Sequence, residues 1–450
     1  MRTSTLATLA LGAGAASAAS VKRASSLPTV SVKGNAFFAG NDRFYIRGVD
    51  YQPGGSSDVA DPIADENGCQ RDIPEFQKLG INAIRVYTVD NTASHDTCMN
   101  ALADAGIYLI LDVNTPKYSL NRADPGPSYN DVYLQSIFAT IDAFQGYSNT
   151  LAFFSGNEVI NDPSTSAAAP YVKAVTRDIR QYIRNRGYRT IPVGYSAADV
   201  AENRLEMAEY MNCGTDDERS DFFAFNDYSW CDPSSFTISG WDQKVKNFTG
   251  YGIPIFLSEY GCNTNTRDFG EVVALYGNQM TPVYSGGLVY EYSQEASNYG
   301  LVEINGDSVS ELPDFGTLQK QYANTPNPQG DGGYNSTGGA SGCPAYSSPN
   351  WLVKDDSLPA IPDGAKKYMT QGAGTGPGLS GAGSQNAGGA STGTATAGSG
   401  APTQTGSSGT TSGSSTSNAA VSVMVPEFSV APLVCGALVA MFTLFGATLL

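Results

Sequence analysis

The sequence predicts an α/β fold, a (β/α)8 barrel with a short disulfide-tied C-terminal extension. Two observations predict it. Eight short apolar, β-branched or aromatic runs recur between residues 43 and 290, and amphipathic stretches separate them. The runs are continuous rather than alternating, as parallel strands covered on both faces are. Eight strand–helix alternations over about 280 residues fit the size of such a barrel. The competing architecture, a doubly wound open sheet, needs a phosphate-type glycine turn after its first strand. Arg-Gly-Val-Asp-Tyr-Gln-Pro-Gly-Gly at 47–55 is a poor version of one.

In chain order the expected strands are Arg43–Gly48, Ala83–Tyr87, Tyr108–Val113, Leu151–Ser155, Thr190–Gly194, Phe222–Phe225, Ile253–Leu257 and Gly287–Tyr290. Tyr133, Ile137, Ile141 and Phe144 follow helical spacing, as do Val172, Val175, Ile179 and Tyr182. Arg177, Arg180, Arg184 and Arg186 fall mostly on the opposite side of the second helix and read as a solvated face. Past Tyr322 the pattern fades into Pro-, Gly- and Asn-rich sequence, although Cys343 and Trp351 indicate further packing. The expected organisation is a signal peptide at 1–19, a barrel at 27–325 and a packed extension at 326–370. A Gly/Ser/Thr-rich linker at 371–417 and a C-terminal processing signal at 418–450 complete it.

Both ends carry the marks of export. Met1-Arg2, followed by a small and apolar run to Ala16-Ser17-Ala18, reads as a secretory signal; Lys22-Arg23 offers a second trimming point. Pro432–Leu450 is apolar, yet no Lys or Arg follows Lys367, so the basic flank of a membrane span is missing. Asn418-Ala419-Ala420, a spacer and the apolar tail match a glycosylphosphatidylinositol (GPI) signal, with Asn418 as the attachment residue. Of seven cysteines, Cys435 lies in that tail, leaving six and fifteen possible pairings. Cys69 and Cys98 bracket one helix–strand unit. Cys231 and Cys262 each sit just past a strand end on the same barrel face, which leaves Cys213 for Cys343. Asn247-Phe-Thr and Asn335-Ser-Thr are glycosylation sequons.

Charge and histidine count remove whole classes of function. A net charge of −17 excludes a general nucleic-acid binder and argues against acidic polysaccharides. His95 is the one histidine, which removes His-rich metal sites and nearly all Ser/His/Asp chemistry. It sits in a polar loop and reads as structural. No metal and no cofactor are expected. Acid–base work must then rest on carboxylates, tyrosines or lysines.

Catalytic groups of such barrels project from the C-terminal strand ends. Those ends supply Asp50-Tyr51-Gln52, Tyr87 with Asp90, Asp112 with Asn114, Asn157-Glu158, Asn226-Asp227-Tyr228, Glu259-Tyr260 and Tyr290-Glu291-Tyr292. Amides and carboxylates bind sugar hydroxyls, and tyrosine faces stack on pyranose rings. Glu158 and Glu259 each open a loop after an apolar strand, which is what glycoside cleavage with retention needs: one acid and one nucleophile. A strand-end Glu alone is an ordinary loop hydrogen-bonder. Asn157 directly before Glu158 makes the pattern specific, because an amide there can hold a sugar 2-hydroxyl.

Ser-Gly-Asn-Glu at 155–158 and Leu-Ser-Glu-Tyr-Gly at 257–261 resemble the clan of retaining barrel glycosidases. Tyr-Ile-Arg-Gly-Val-Asp-Tyr-Gln-Pro-Gly-Gly at 45–55, Asn-Asp-Tyr-Ser-Trp-Cys at 226–231 and Tyr-Ser-Gly-Gly-Leu-Val-Tyr-Glu-Tyr at 284–292 resemble one fungal family more closely. It is the GPI-anchored β-1,3-glucanosyltransferases, glycoside hydrolase family 72. The resemblance implies Glu158 as acid/base and Glu259 as nucleophile. It implies Tyr87, Asn157, Asp199, Arg204 and Tyr290 as glucosyl contacts, with Gln52 and Tyr228 lining the same mouth. Asp199 and Arg204 do not stand out in the residues themselves. The family's disulfides would be Cys69–Cys98, Cys213–Cys343 and Cys231–Cys262. The implied partners are β-1,3-glucan donor and acceptor chains and the plasma membrane through the anchor, for a monomer at the outer cell surface or wall. A hydrolytic endo-β-1,3-glucanase with the same residues, and an inert wall-binding barrel, are the competing functions.

Overall fold

A computed structural model describes residues 27–395 and 400. The expected signal peptide, the GPI-attachment residue Asn418 and Cys435 lie outside those residues. The chain opens with a three-stranded antiparallel meander of β1 (Val30–Lys33), β2 (Ala36–Ala39) and β3 (Asp42–Phe44). Eight parallel strands follow: β4 (Ile46–Asp50), β5 (Ala83–Val86), β6 (Tyr108–Asp112), β7 (Thr150–Asn157), β8 (Val193–Ala198), β9 (Phe222–Asp227), β10 (Ile255–Tyr260) and β11 (Tyr284–Val289). They form a closed barrel in chain order, sealed by β11 against β4 with Gly286 opposite Ile46. The barrel fold is therefore as the alternating pattern predicts. The expected first strand, however, divides between β3 of the meander and β4 of the barrel.

The barrel interior has two layers. At its base Phe37, delivered by the meander, packs on Phe222 and Phe256 with ring centroids 5.9 Å apart in each case. Phe154 closes against the same two rings. Apolar packing plugs the N-terminal end, where the loss of water from these rings stabilises the closed sheet. Above it the inward residues are polar: Arg85, Asp112, Ser196 and Ser258, all buried. That switch from apolar to polar marks the mouth.

Helices cover the outside. The helix Asp131–Phe144 starts where the Asn130 side chain accepts from Tyr133 N at 2.9 Å, and it buries Ile137, Ile141 and Phe144. Helix Ala169–Asn185 buries Val172, Val175, Ile179 and Tyr182 as its spacing requires. Its arginines do not share one solvated face. Arg177 is buried, paired with Asp178 and donating to the Tyr129 hydroxyl at 3.1 Å. A guanidinium with that many partners stays charged without water.

Three disulfides, Cys69–Cys98, Cys213–Cys343 and Cys231–Cys262, tie the domain. The second anchors the extension, where Trp351 is buried against Tyr210. Composition places a linker from residue 371 onward, but residues up to 395 still lie on the barrel. Ala373 and Ser384 are buried, and Pro359 bridges to Thr394. Among the described residues no helix is long and apolar enough to cross a membrane.

Candidate active site

Glu158 follows the last residue of β7, and Glu259 lies near the end of β10. Both open into the polar layer at the C-terminal mouth. Glu158 sits in the left-handed backbone region at φ 48°, an unfavourable place for a glutamate. Its N–H donates to Ser196 O at 2.9 Å and its carbonyl accepts from Arg122 Nη2 at 2.8 Å. A strained backbone held at both ends fixes where the side chain points.

Glu259 is the more enclosed carboxylate, 8% exposed. Oε1 accepts from Tyr87 Oη at 2.7 Å and Arg85 Nη1 at 3.1 Å; Oε2 accepts from Tyr228 Oη at 2.7 Å. Burial pushes its carboxyl up to about 7, and the charge of Glu158 adds to this, against Arg85 and the two tyrosine hydroxyls. Three donors converge on Glu259, whereas one, Asn226 Nδ2 at 2.9 Å, reaches Glu158 Oε1. Donors stabilise the ionised form, so Arg85 and the two tyrosine hydroxyls offset part of what burial costs the Glu259 carboxylate.

A polar net connects the pair. Asn157 Oδ1 accepts from Arg85 Nη2 at 3.0 Å, Ser196 Oγ at 2.7 Å and Asn226 Nδ2 at 3.2 Å, leaving its own amide N–H groups for a ligand. Asp112 holds Arg85 from the other side through Nε and Nη2 at 2.9 and 3.0 Å. A cleft of about 280 Å³ opens beside this net, lined by Tyr87, Asp112, Asn114, Asn157 and the loop after β6.

The remaining expected residues divide into two groups. Tyr290 forms an aromatic cluster with Tyr228 and Tyr299, centroids 5.3–6.3 Å apart, on the Glu259 side of the mouth. Asp199 follows β8 directly and pairs with Arg204; Lys244 Nζ bridges Asp199 at 2.6 Å and Asp227 at 2.5 Å. Gln52, in contrast, is spent on the backbone, accepting from Tyr87 N and Thr88 N and donating to Ala60 O. Tyr51 and Tyr292 turn outward and donate to Asp72. His95 lies at 2.7 Å from Asp61 in the loop packing. Arg85 and Lys244 were not expected. Arg85 is a lone charge in the apolar run Ala-Ile-Arg-Val, a signal that could have found it. Lys244 carries no comparable signal.

The sequence profile described as glucanosyltransferase matches residues 19–326. The chain belongs to that family, glycoside hydrolase family 72. It is 72% identical over 444 residues to 1,3-beta-glucanosyltransferase gel1 of Aspergillus fumigatus, with 98% of each chain covered. It is 57% identical over 365 residues to 1,3-beta-glucanosyltransferase gas4 of Schizosaccharomyces pombe, covering 78% of this chain and 79% of that one. A solved structure of Saccharomyces cerevisiae Gas2p with laminaritriose and laminaritetraose superposes with a TM-score of 0.70 at 40% identity, over 75% of this chain and 78% of that one.

Proposed function

We propose that this chain is a retaining β-1,3-glucanosyltransferase that cuts an internal β-1,3-glucan bond and joins the new reducing end to the non-reducing end of another β-1,3-glucan. The observation that carries it is the asymmetric solvation of the two glutamates: Glu259 with three donors and Glu158 with one. Glu259 Oε2, which has a single donor, keeps a lone pair free and attacks the anomeric carbon. Glu158 gives its proton to the departing glycosidic oxygen. The reducing-end fragment leaves and the glucan stays esterified to Glu259. Glu158, now ionised, takes the proton of an incoming 3-hydroxyl, whose oxygen displaces Glu259 and remakes a β-1,3 bond. The ester conserves the potential of the broken linkage, so no nucleotide sugar enters the scheme.

Asn157 would hold a 2-hydroxyl and Tyr87 a donor glucosyl unit, with Tyr290 stacking beside them. Asp199 and Arg204 would take glucosyl hydroxyls on the other side. The curated relatives' names as 1,3-beta-glucanosyltransferases support transfer over hydrolysis. Export by the segment at 1–19, a GPI anchor at Asn418, N-glycans on Asn247 and Asn335, and a monomer at the outer membrane face or wall belong to the same reading. Asn247 is exposed, which supports it as an acceptor.

The decisive assay incubates purified protein with laminarihexaose of one length and sizes the products. Transfer yields chains longer than the substrate. Shorter products alone would make the protein an endo-glucanase.

A further inference from the structure

The Gly/Ser/Thr-rich stretch after residue 371 has the composition of a flexible linker, yet Gly376 and Gly381 sit where there is no room for a side chain. A Cβ on Gly381 would lie 2.0 Å from Tyr118 Oη, and one on Gly376 2.1 Å from Asn91 Oδ1. The backbone of this stretch is also hydrogen-bonded to the barrel rather than left to water. Leu379 O accepts from Lys117 Nζ at 2.7 Å, and Ser384 N donates to Lys117 O at 3.0 Å. Gln385 Nε2 donates to Ser119 O at 2.7 Å, and Ser384 O accepts from Asn130 Nδ2 at 2.6 Å.

Apart from Asn91, which follows β5, these partners belong to one segment, the loop between β6 and the helix Asp131–Phe144. The same loop supplies Asn114, Thr115, Pro116, Ser119, Leu120 and Arg122 to the wall of the cleft beside Asn157 and Tyr87. Its turn at Thr115–Tyr118 closes on itself with two backbone bonds of 3.0 Å. Arg122, further along, grips the Glu158 carbonyl.

We propose that residues 376–391 are a positioning strap for the substrate cleft: they hold the loop that forms one wall and, through Arg122, the strained backbone of Glu158. The strap touches no substrate. It fixes a wall that an isolated surface loop of this length would not hold, because loops without packed partners sample many conformations. The inference rests on the cleft being the glucan site, and the experiment separates the two claims.

Three single variants are made in the full chain: Gly381→Val, which collides with Tyr118; Gln385→Ala, which removes the Ser119 bond; and Gly393→Ala, where an added Cβ meets nothing within 4 Å. For each, KM and kcat on laminarihexaose, the unfolding midpoint and amide exchange of the peptide 113–123 are measured. The strap predicts that Gly381→Val and Gln385→Ala raise exchange in 113–123 and raise KM, by about tenfold for the valine. Gly393→Ala leaves all of these unchanged. It also predicts that laminarihexaose bound to the Glu158→Gln protein slows exchange in 376–385. A lowered midpoint with KM and loop exchange unchanged would reduce the stretch to a stability clamp and overturn the proposal. Wild-type protein inactive on laminarihexaose would instead overturn the functional reading.

Discussion

Arg85 has five N–H groups, and every one is used: two on Asp112, one each on Asn157, Ser258 O and Glu259. Asp50, 4.0 Å from Nη1, receives none, and neither of its oxygens has a partner. Burial accordingly pushes its carboxyl well above the ordinary range, and it holds its proton. Asp50→Asn, neutral and of the same shape, should alter kcat/KM by less than about threefold, or ~0.6 kcal/mol. Asp112→Asn, which weakens the grip on Arg85, should cost far more. Glu158→Gln should slow cleavage of laminari-oligosaccharides by about 10²–10⁴-fold. On an aryl donor whose leaving group needs no proton, it should move the acid limb of kcat/KM to lower pH. The sign follows from the neutral amide: without Glu158's charge, Glu259 ionises more readily. The glutamates were legible in the sequence because each ends an apolar run. Lys244 was not, because a lysine on an amphipathic helix reads as solvated, and only the fold shows it between Asp199 and Asp227.

Strand eight of the sequence reading begins three residues late, and strand five is displaced by as much in the opposite sense. The run Thr190–Gly194 was expected, but Pro192 lacks the N–H a ladder needs, and β8 begins after it at Val193. The strand then continues through Gly-Tyr-Ser-Ala-Ala, whose small and polar residues hide its apolar face. That displacement is why Asp199, the first residue past β8, could not be placed at the mouth by pattern alone. The Cys231–Cys262 bridge ties the loop after Tyr228 to the loop after Glu259 across a sequence separation of 31. Replacing both by serine should destabilise the domain by about 3–4 kcal/mol on loop-closure entropy. It should also lower kcat more than it raises KM, since Tyr228 positions the nucleophile; chemical denaturation and initial rates check the two parts. The strap escaped a reading by composition because glycine demanded by close approach and glycine used for flexibility look alike in a sequence.

Across the molecule, several carboxyl groups unused by substrate share one bias. Burial pushes Glu271 up to about 8 and Glu291 up to about 7, as it does Glu259. In the unfolded chain these groups titrate near 4.3. Between that value and about 8 the folded state binds more protons than the unfolded one, so stability falls as pH rises. The net charge of −17 adds self-repulsion in the same direction. Lys173, lowered by burial to about 8, works the other way only above that value. Thermal midpoints should therefore be higher near pH 5 than near pH 8; the reverse order would contradict these shifts. The central claim, however, is that Glu259 carries the glucan between cleavage and rejoining. It is tested most directly by loading the enzyme with a 2-deoxy-2-fluoro-laminaribiosyl donor and mapping the adduct by mass spectrometry. The account predicts the sugar on the peptide containing Glu259, released on adding laminaribiose as a longer oligosaccharide. A label on another residue, or no covalent species during turnover, would contradict it.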